Sequence, residues 1–357
     1  MINALQKEIQ LRQKEINQPI ETIYFGGGTP SVFSVSELHQ ILKTVFYNYE
    51  VNNNPEITLE ANPDDLLIEN SSEPNSHLFE SYRTIGINRL SIGVQSFFDE
   101  DLELMNRSHS GVDAMSSLFR ATKFFDNTSI DLIYGIQGAS NSRWIQNIET
   151  ALSFDIPHIS SYALTIEPKT ALASYIEKGI IDQVDDEQAQ EQFLILKEQL
   201  EQKDYVHYEL SNFGKEGYFS QNNSAYWQGK PYLGMGPSAH SFNGKIRSWN
   251  IRNNTKYIQY IQSNKLPIER ETLTKTDRYN EYIMTGLRTM WGVSLEKIEN
   301  EFGENYLIYL LQQAQSYIDN HLLFIDDKHL LTTNKGLFLS DGIASELFML
   351  NLEKTKK

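Results

Sequence analysis

Thr22-Ile23-Tyr24-Phe25-Gly26-Gly27-Gly28-Thr29-Pro30 is the stretch that sets the fold. Its first four residues are apolar or β-branched and predict a short buried strand. Three glycines follow at the strand's C-terminal end, then Thr-Pro. Glycine has no Cβ, so its backbone takes positive φ and comes close to a ligand. The C-terminal ends of parallel strands are where α/β sheets and barrels hold ligands. A flexible strand-to-helix turn has the same local signature, and the run alone does not separate the two. The spacing is neither GxGxxG nor GxxxxGK followed by Ser or Thr, so neither a dinucleotide fold nor a P-loop is predicted.

Outward from this run the chain alternates strand and helix. Residues 1–17 form an amphipathic helix with Ile2, Leu5, Ile9 and Ile16 on its apolar side. Ser34-Val35-Ser36-Glu37 is a capping box opening a helix through Leu38, Ile41, Leu42 and Val45. Strands are predicted at 56–61, 89–95, 129–135, 158–164 and 206–210. Helices are predicted near 78–85, 99–105, 112–125, 141–153 and 186–202. Segment 66–77 has the composition of a solvated insertion. Connections of this length suit parallel crossovers, so the fold class is α/β, with six visible strands in a partial (β/α) barrel. Residues 213–250 suggest a long ordered loop region. Helices at 277–290, 294–302 and 305–321, a hairpin within 324–339 and a last helix at 343–352 suggest a small α-rich, winged-helix-like domain. The expected division is 1–245 for the barrel, 246–270 for a linker and 271–357 for the C-terminal domain, ending in a frayed basic tail at 354–357.

Composition narrows the function. With 357 residues and 40% hydrophobic content, the chain is expected to fold as a large soluble globule. A net charge of −16 argues against general affinity for nucleic acid or anionic membranes. No apolar run approaches the ~18 residues of a membrane span, and no signal-peptide pattern stands at Met1. A cytoplasmic location is expected. There is no cysteine, which excludes disulfides and thiolate metal sites.

Glu56-Ile57-Thr58-Leu59-Glu60-Ala61-Asn62-Pro63, Gly86 to Phe97, Asn106-Arg107-Ser108-His109 and Ile130-Asp131-Leu132-Ile133-Tyr134-Gly135 follow the glycine run in order. As a set, from about Ile20 to Arg288, they resemble the radical S-adenosylmethionine (SAM) proteins. More narrowly, they resemble the oxygen-independent coproporphyrinogen III oxidase family and its haem chaperone branch, HemW. The resemblance implies a radical-SAM-type barrel lacking its first strand. It places Gly27, Gly28, Thr29, Glu60, Gln95, Arg107 and Asp131 at SAM, and Ala163 and His240 at adenine or second-ligand contacts. Glu60 suits ligand hydroxyls or an ammonium. Arg107 can fork onto a carboxylate. Asp131, inside an apolar strand, is costly without a partner. Each also has a plain structural reading: a turn charge, a helix-terminal cation, a strand end.

The family holds a [4Fe-4S] cluster on a CxxxCxxC loop after the first strand. The expectation is that this loop belongs to a full-length form, upstream of Met1, with a cluster-free relative as the alternative. No metal ligand is expected in this chain, and no reductive SAM cleavage by it as written. A sheet edge left uncovered is expected to lower stability. The chaperone branch carries an HNxxYW signature. Asn222, Asn223, Tyr226 and Trp227 occupy it here, with Asn222 where His is expected. A carboxamide binds haem iron poorly, and His207, His240 or Tyr208 are the available substitutes. The resemblance implies haem or a porphyrinogen as ligand and a haem-acceptor protein as partner. An oxidase decarboxylating porphyrinogen propionates is the enzymatic alternative. A nucleic-acid-binding regulator using the winged module is disfavoured by the acidic balance.

Overall fold

The structure of the protein, a computed structural model, describes residues 1–67, 76–166, 171–179, 183 and 185–350. Most of the expected insertion at 66–77, the basic tail at 354–357 and the end of the helix expected at 343–352 fall outside those residues. By contacts the chain divides into two compact units. One comprises Gln18–His207 and Ser211–Ser220; the other comprises Met1–Asn17, Tyr208–Leu210 and Gln221–Lys357.

The first unit is organised on strands β1 (Ile20–Phe25), β2 (Val51–Ala61), β3 (Arg89–Gln95), β4 (Thr128–Tyr134), β5 (His158–Ala163), β6 (Val206–Glu209) and β7 (Asn212–Gly214). They form a curled half-barrel sheet in the order β1-β2-β3-β4-β5-β7-β6. Each of β1 to β4 pairs in parallel with the next. Helices Val35–Asn48, Ser76–Thr84, Gly111–Ala121 and Asn141–Ser153 make the crossovers. The capping box expected at Ser34 and Glu37 is formed. The end of the sheet departs from the expected parallel run. Only Leu210 and Ser211 separate β6 from β7, too few for a crossover, and β7 pairs antiparallel with β5.

Period-two alternation gives this sheet two chemically different faces. Ile57, Leu59, Leu90, Ile92, Val94, Ile130, Leu132 and Ile159 are buried on one face. Each such side chain contributes about 2 kcal/mol through burial. The helical stripes Leu38-Ile41-Leu42 and Trp144-Ile148-Ala151 are buried as well. The other face carries Thr58, Glu60, Arg89, Ser91, Ser129, Asp131, His158 and Ser160, aligned by the strand register. A polar face inside a closed-up sheet is costly unless it is paired or serves a ligand.

In the second unit, helix Ile2–Leu11 packs Ala4 and Leu5 against Tyr257 and Ile261. It stops before the expected residue 17; Arg12 leaves helical geometry and its side chain turns into a buried polar cluster. Residues 213–250, expected as a loop, hold β7, helix Gln221–Trp227, β8 (His240–Phe242) and β9 (Ile246–Asn250). Residues 246–270, expected as a linker, hold β9, helix Asn254–Gln262 and most of β10 (Ile268–Thr272). β8, β9 and β10 form an antiparallel sheet in the order β10-β9-β8. The C-terminal part matches the winged-helix expectation. Helices Lys275–Gly286 and Glu304–Asp319 and a small sheet of β11 (Val293–Ser294), β12 (Leu323–Asp326) and β13 (His329–Thr332) share a core of Tyr279, Ile283, Leu287, Phe302 and Leu310.

Candidate functional site

The C-terminal end of β1 and β2 builds the centre of the site. Glu60 lies two residues beyond Thr58, the register partner of Tyr24. The Tyr24 hydroxyl donates to Glu60 Oε1 at 2.7 Å, and the Gly27 N–H donates to Oε2 at 3.3 Å. Both carboxylate oxygens are thereby oriented. Burial, then the charge of Glu60, pushes the Tyr24 phenol pKa up, so the hydroxyl stays protonated and remains a donor. A Cβ on Gly26 would fall 2.5 Å from Tyr24 Cε1 and 2.8 Å from Glu60 Oε1. Only glycine permits that approach. Gly27 and Gly28 have φ of +76° and +119°, and nothing lies within 4 Å of where their side chains would stand. They present bare backbone to open space. Thr29 Oγ1 accepts a long contact from Asn62 Nδ2 at 3.5 Å.

Asp131 contributes the second carboxylate. It sits on β4 opposite Ser160 on β5 and is half-buried. Burial raises its pKa to about 7, and the negative Glu60 adds to the rise; Arg89, a Ser160 hydrogen bond and Arg107 oppose it. Arg107 is exposed just past helix Asp99–Leu104 and faces this site as a positive charge. Gln95 closes β3 after a register shift and has φ of +67°, a left-handed conformation uncommon outside glycine. Ala163 closes β5 opposite Tyr134 and is exposed. Of the expected SAM residues, Gly27 and Glu60 are in direct contact, and Asp131 is electrostatically coupled to Glu60 and Arg107. Thr29, Gln95 and Ala163 stand at or just beyond neighbouring strand ends. His240 belongs to the second unit.

Sequence reasoning did not single out Tyr24, Gly26 or His158 here. Arg89 is buried on the polar face, its Nε 3.9 Å from Glu56. His158 is fully buried, with Nδ1 2.6 Å from Ser129 Oγ. Burial, then the charge of Arg89, depresses its pKa well below the usual imidazole range, so it is neutral. Around Arg89 the same face carries Glu56, Glu60 and Asp131, an excess of acid. The signal available was parity: Arg89, Ser91 and Gly93 alternate with Leu90, Ile92 and Val94.

The second unit carries the expected haem segment on helix Gln221–Trp227. Asn222 hydrogen-bonds the Tyr226 side chain. The Tyr226 ring meets Tyr232 edge-on at 4.5 Å, and Tyr232 lies 6.4 Å from Phe242. On β8, His240 and Phe242 share one face, and His240 pairs in register with Trp249, ring to ring at 6.0 Å. The opposite face holds Ser241 and Ser248, both buried. Behind it, Glu8 accepts from Gly236 N–H at 2.8 Å, Asn250 Nδ2 at 2.7 Å and Tyr257 Oη at 2.5 Å. Arg12 donates to Glu8, to Gly234 O at 2.8 Å and to Ser241 Oγ at 3.0 Å. Both Glu8 and Arg12 are wholly buried.

Among the described residues no group of three or more His, Cys, Asp or Glu is placed to hold a metal ion. Nor is any described helix long and apolar enough to cross a membrane.

Comparison with known proteins agrees with this architecture. The radical SAM superfamily matches residues 4–157, and the HemN C-terminal domain matches residues 273–339. The haem chaperone HemW of Bacillus subtilis (strain 168) is 32% identical over 346 residues, 96% of this chain and 89% of that protein. The haem chaperone HemW of Lactococcus lactis (strain IL1403) is 32% identical over 98% of this chain and 89% of its own length. The solved structure of Escherichia coli coproporphyrinogen III oxidase, HemN, a radical SAM enzyme, superposes with a TM-score of 0.81 at 22% identity. That superposition covers 97% of this chain and 82% of HemN and shows a common fold. The chain belongs to the radical SAM superfamily, in its coproporphyrinogen III oxidase-like family, on the HemW branch.

Proposed function

We propose that this chain is a haem-handling protein of the HemW type, which binds SAM at the mouth of the half-barrel and passes haem to an acceptor protein in the cytoplasm. The observation that carries the SAM part is Glu60, fixed at both oxygens by Tyr24 and Gly27, with Asp131 as a second carboxylate nearby. SAM carries a sulfonium and an ammonium against one carboxylate, a net positive charge. An acidic mouth with open space over Gly27 and Gly28 fits it.

The residues divide the ligand between them. Glu60 accepts from the ammonium or a ribose hydroxyl, and the Gly27-Gly28-Thr29 backbone lies along the methionine part. Arg107 pairs with the ligand carboxylate. Gln95 and Asp131 accept from or donate to the ribose, and Ala163 offers backbone edges to adenine. Bound there, SAM supplies a sulfonium-activated adenosyl group. The protein's own contribution is orientation and exclusion of water. A [4Fe-4S] cluster does not fit the residues present: its ligation requires thiolates, and the chain has no cysteine. No step is therefore assigned to such a cluster on this chain.

Haem, as cargo, is assigned to the second unit because of its aromatic face and because the matched relatives are haem chaperones. A haem titration followed by the Soret band tests this. Saturable binding at micromolar haem is expected, and its absence would remove the haem half of the reading. Conversion of coproporphyrinogen III to a vinyl-bearing product would favour the oxidase alternative instead.

A further inference from the structure

We propose that His240 is the axial ligand to haem iron in this chain, presented on the face that β8 and β9 share with Trp249 and Phe242. This rests on the haem-binding reading above and gives it a specific atom-level site. The position where the branch signature calls for histidine is Asn222, whose side chain is committed to Tyr226. A carboxamide is a weak ligand for haem iron, and imidazole is a strong one. The question is which imidazole, or other ligating side chain, is free to reach a porphyrin.

The geometry removes the other candidates. His207 is stacked on Phe213 at 4.3 Å with its plane 14° away, and Phe193 meets it edge-on at 5.5 Å. Its ring is packed among the core aromatics Phe213 and Phe193 of the first unit. Tyr208 is completely buried against Trp291. In the unit that carries Asn222 to Trp227, the remaining histidines are His240, His321 and His329. His321 follows helix Glu304–Asp319 in a left-handed turn, and His329 holds the Asp327 carbonyl with Nδ1 at 2.8 Å, both in the winged part. His240 alone belongs to the sheet that extends the aromatic row from Tyr226 through Tyr232 to Phe242.

Three features suit His240 to a flat, apolar, metal-bearing ligand. Its side chain is exposed, on the outer strand of the β10-β9-β8 sheet. Trp249 stands beside its ring and offers an aromatic surface to a macrocycle. Its backbone is rigidly mounted: Gly234 and Ser241 are tied together at 3.0 Å, Arg12 bonds both, and Glu8 holds Gly236. A preorganised imidazole loses little freedom on ligation.

The test is a ferric haem titration of the full chain and of His240→Ala, reading affinity, Soret position and spin state. The wild type is expected to show a nitrogen-ligated spectrum. His240→Ala is expected to bind at least about tenfold more weakly and to lose that spectrum, consistent with removal of a strong bond. Free imidazole is expected to restore the spectrum of His240→Ala, and Asn222→His in the same background is expected to restore affinity. His240→Met, which keeps a ligand of different type, is expected to shift the spectrum without abolishing binding. His240 is exposed, so the thermal midpoint is expected to hold. If His240→Ala binds haem with the wild-type affinity and spectrum, the ligand assignment is wrong while haem binding stands. If the wild type binds haem without nitrogen ligation, the assignment is also wrong. If the wild type binds no haem, both fall.

Discussion

The mouth of the half-barrel and the aromatic face of the second unit meet the demands of a ligand in opposite ways. The mouth is assembled from the ends of several parallel strands, each contributing one or two polar groups: Glu60 from β2, Gln95 from β3, Asp131 from β4. Its chemistry is acidic and the ligand proposed for it is a cation. The aromatic face comes from a short helix, a loop and two adjacent strands, and its chemistry is π-surface with the exposed imidazole of His240 beside it. The mouth is placed by sheet register, which a long crossover fold fixes globally. The face is placed by one buried ion pair, Glu8 with Arg12, contributed by the N-terminal helix. A charged ligand site can thus be distributed over a rigid sheet, whereas a site for a planar ligand needs a continuous surface held from behind.

The contrast is broken most strongly at Glu8. Glu8→Ala removes the buried carboxylate paired with Arg12, leaving Glu15 as its acidic partner, and it leaves Gly236 N–H and Tyr257 Oη without an acceptor and Asn250 Nδ2 with Gly236 O alone. Loss of about 3–5 kcal/mol is expected, measured as a lower chemical-denaturation midpoint and accompanied by weaker haem binding. Gly26→Val comes next. Its Cβ would overlap Tyr24 and Glu60, and displacement of the carboxylate by about 1–3 kcal/mol of overpacking is expected to weaken SAM binding roughly tenfold, by calorimetry.

Asp131→Asn sharpens the comparison through pH. Burial, then the charge of Glu60, raises the folded pKa of the Asp131 carboxyl to about 7 from the ordinary aspartate value of 3.8. The folded state therefore holds a proton that the unfolded chain has released, and stability falls as pH rises from about 4 to about 7. The folded carboxylate itself forms around pH 7, from about 6 to about 8, and affinity for a cationic ligand is expected to rise there. Asn at 131 is expected to flatten both slopes, checked by denaturation and by SAM titration at several pH values. Tyr24→Phe is the smallest change. It removes one hydrogen bond to Glu60, worth about 1 kcal/mol, and is expected to weaken SAM binding up to about fivefold.

The parallel strands were legible in the sequence because each is a run of alternating or continuous apolar residues bounded by turn signals. β3 occupies the span expected for it, 89–95, and helix Asn141–Ser153 likewise. Glu60, Gln95 and Asp131 were legible as polar residues set in such runs. Tyr24 was not, since a tyrosine within Ile-Tyr-Phe looks like core; only the partner strand reveals its hydroxyl on Glu60. Glu8 and Arg12 lie beside and within the apolar stripe that Leu5, Ile9 and Ile16 mark on the first helix, but charged side chains are expected to be solvated. Their burial depends on Gly236 and Asn250, more than two hundred residues away, and no local pattern carries that. The small sheet β8–β10 has the sequence texture of loop and linker because its strands are short and its residues, such as Ser241 and Ser248, are polar on the buried side.

The most direct test of the account compares SAM with S-adenosylhomocysteine by calorimetry on the wild type and on Glu60→Gln. The two ligands differ by the methyl group and the positive charge on sulfur. An acidic mouth formed by Glu60 and Asp131 predicts tighter binding of SAM, with the preference shrinking in Glu60→Gln. Equal affinity for the two ligands, or a preference that Glu60→Gln leaves intact, would contradict it.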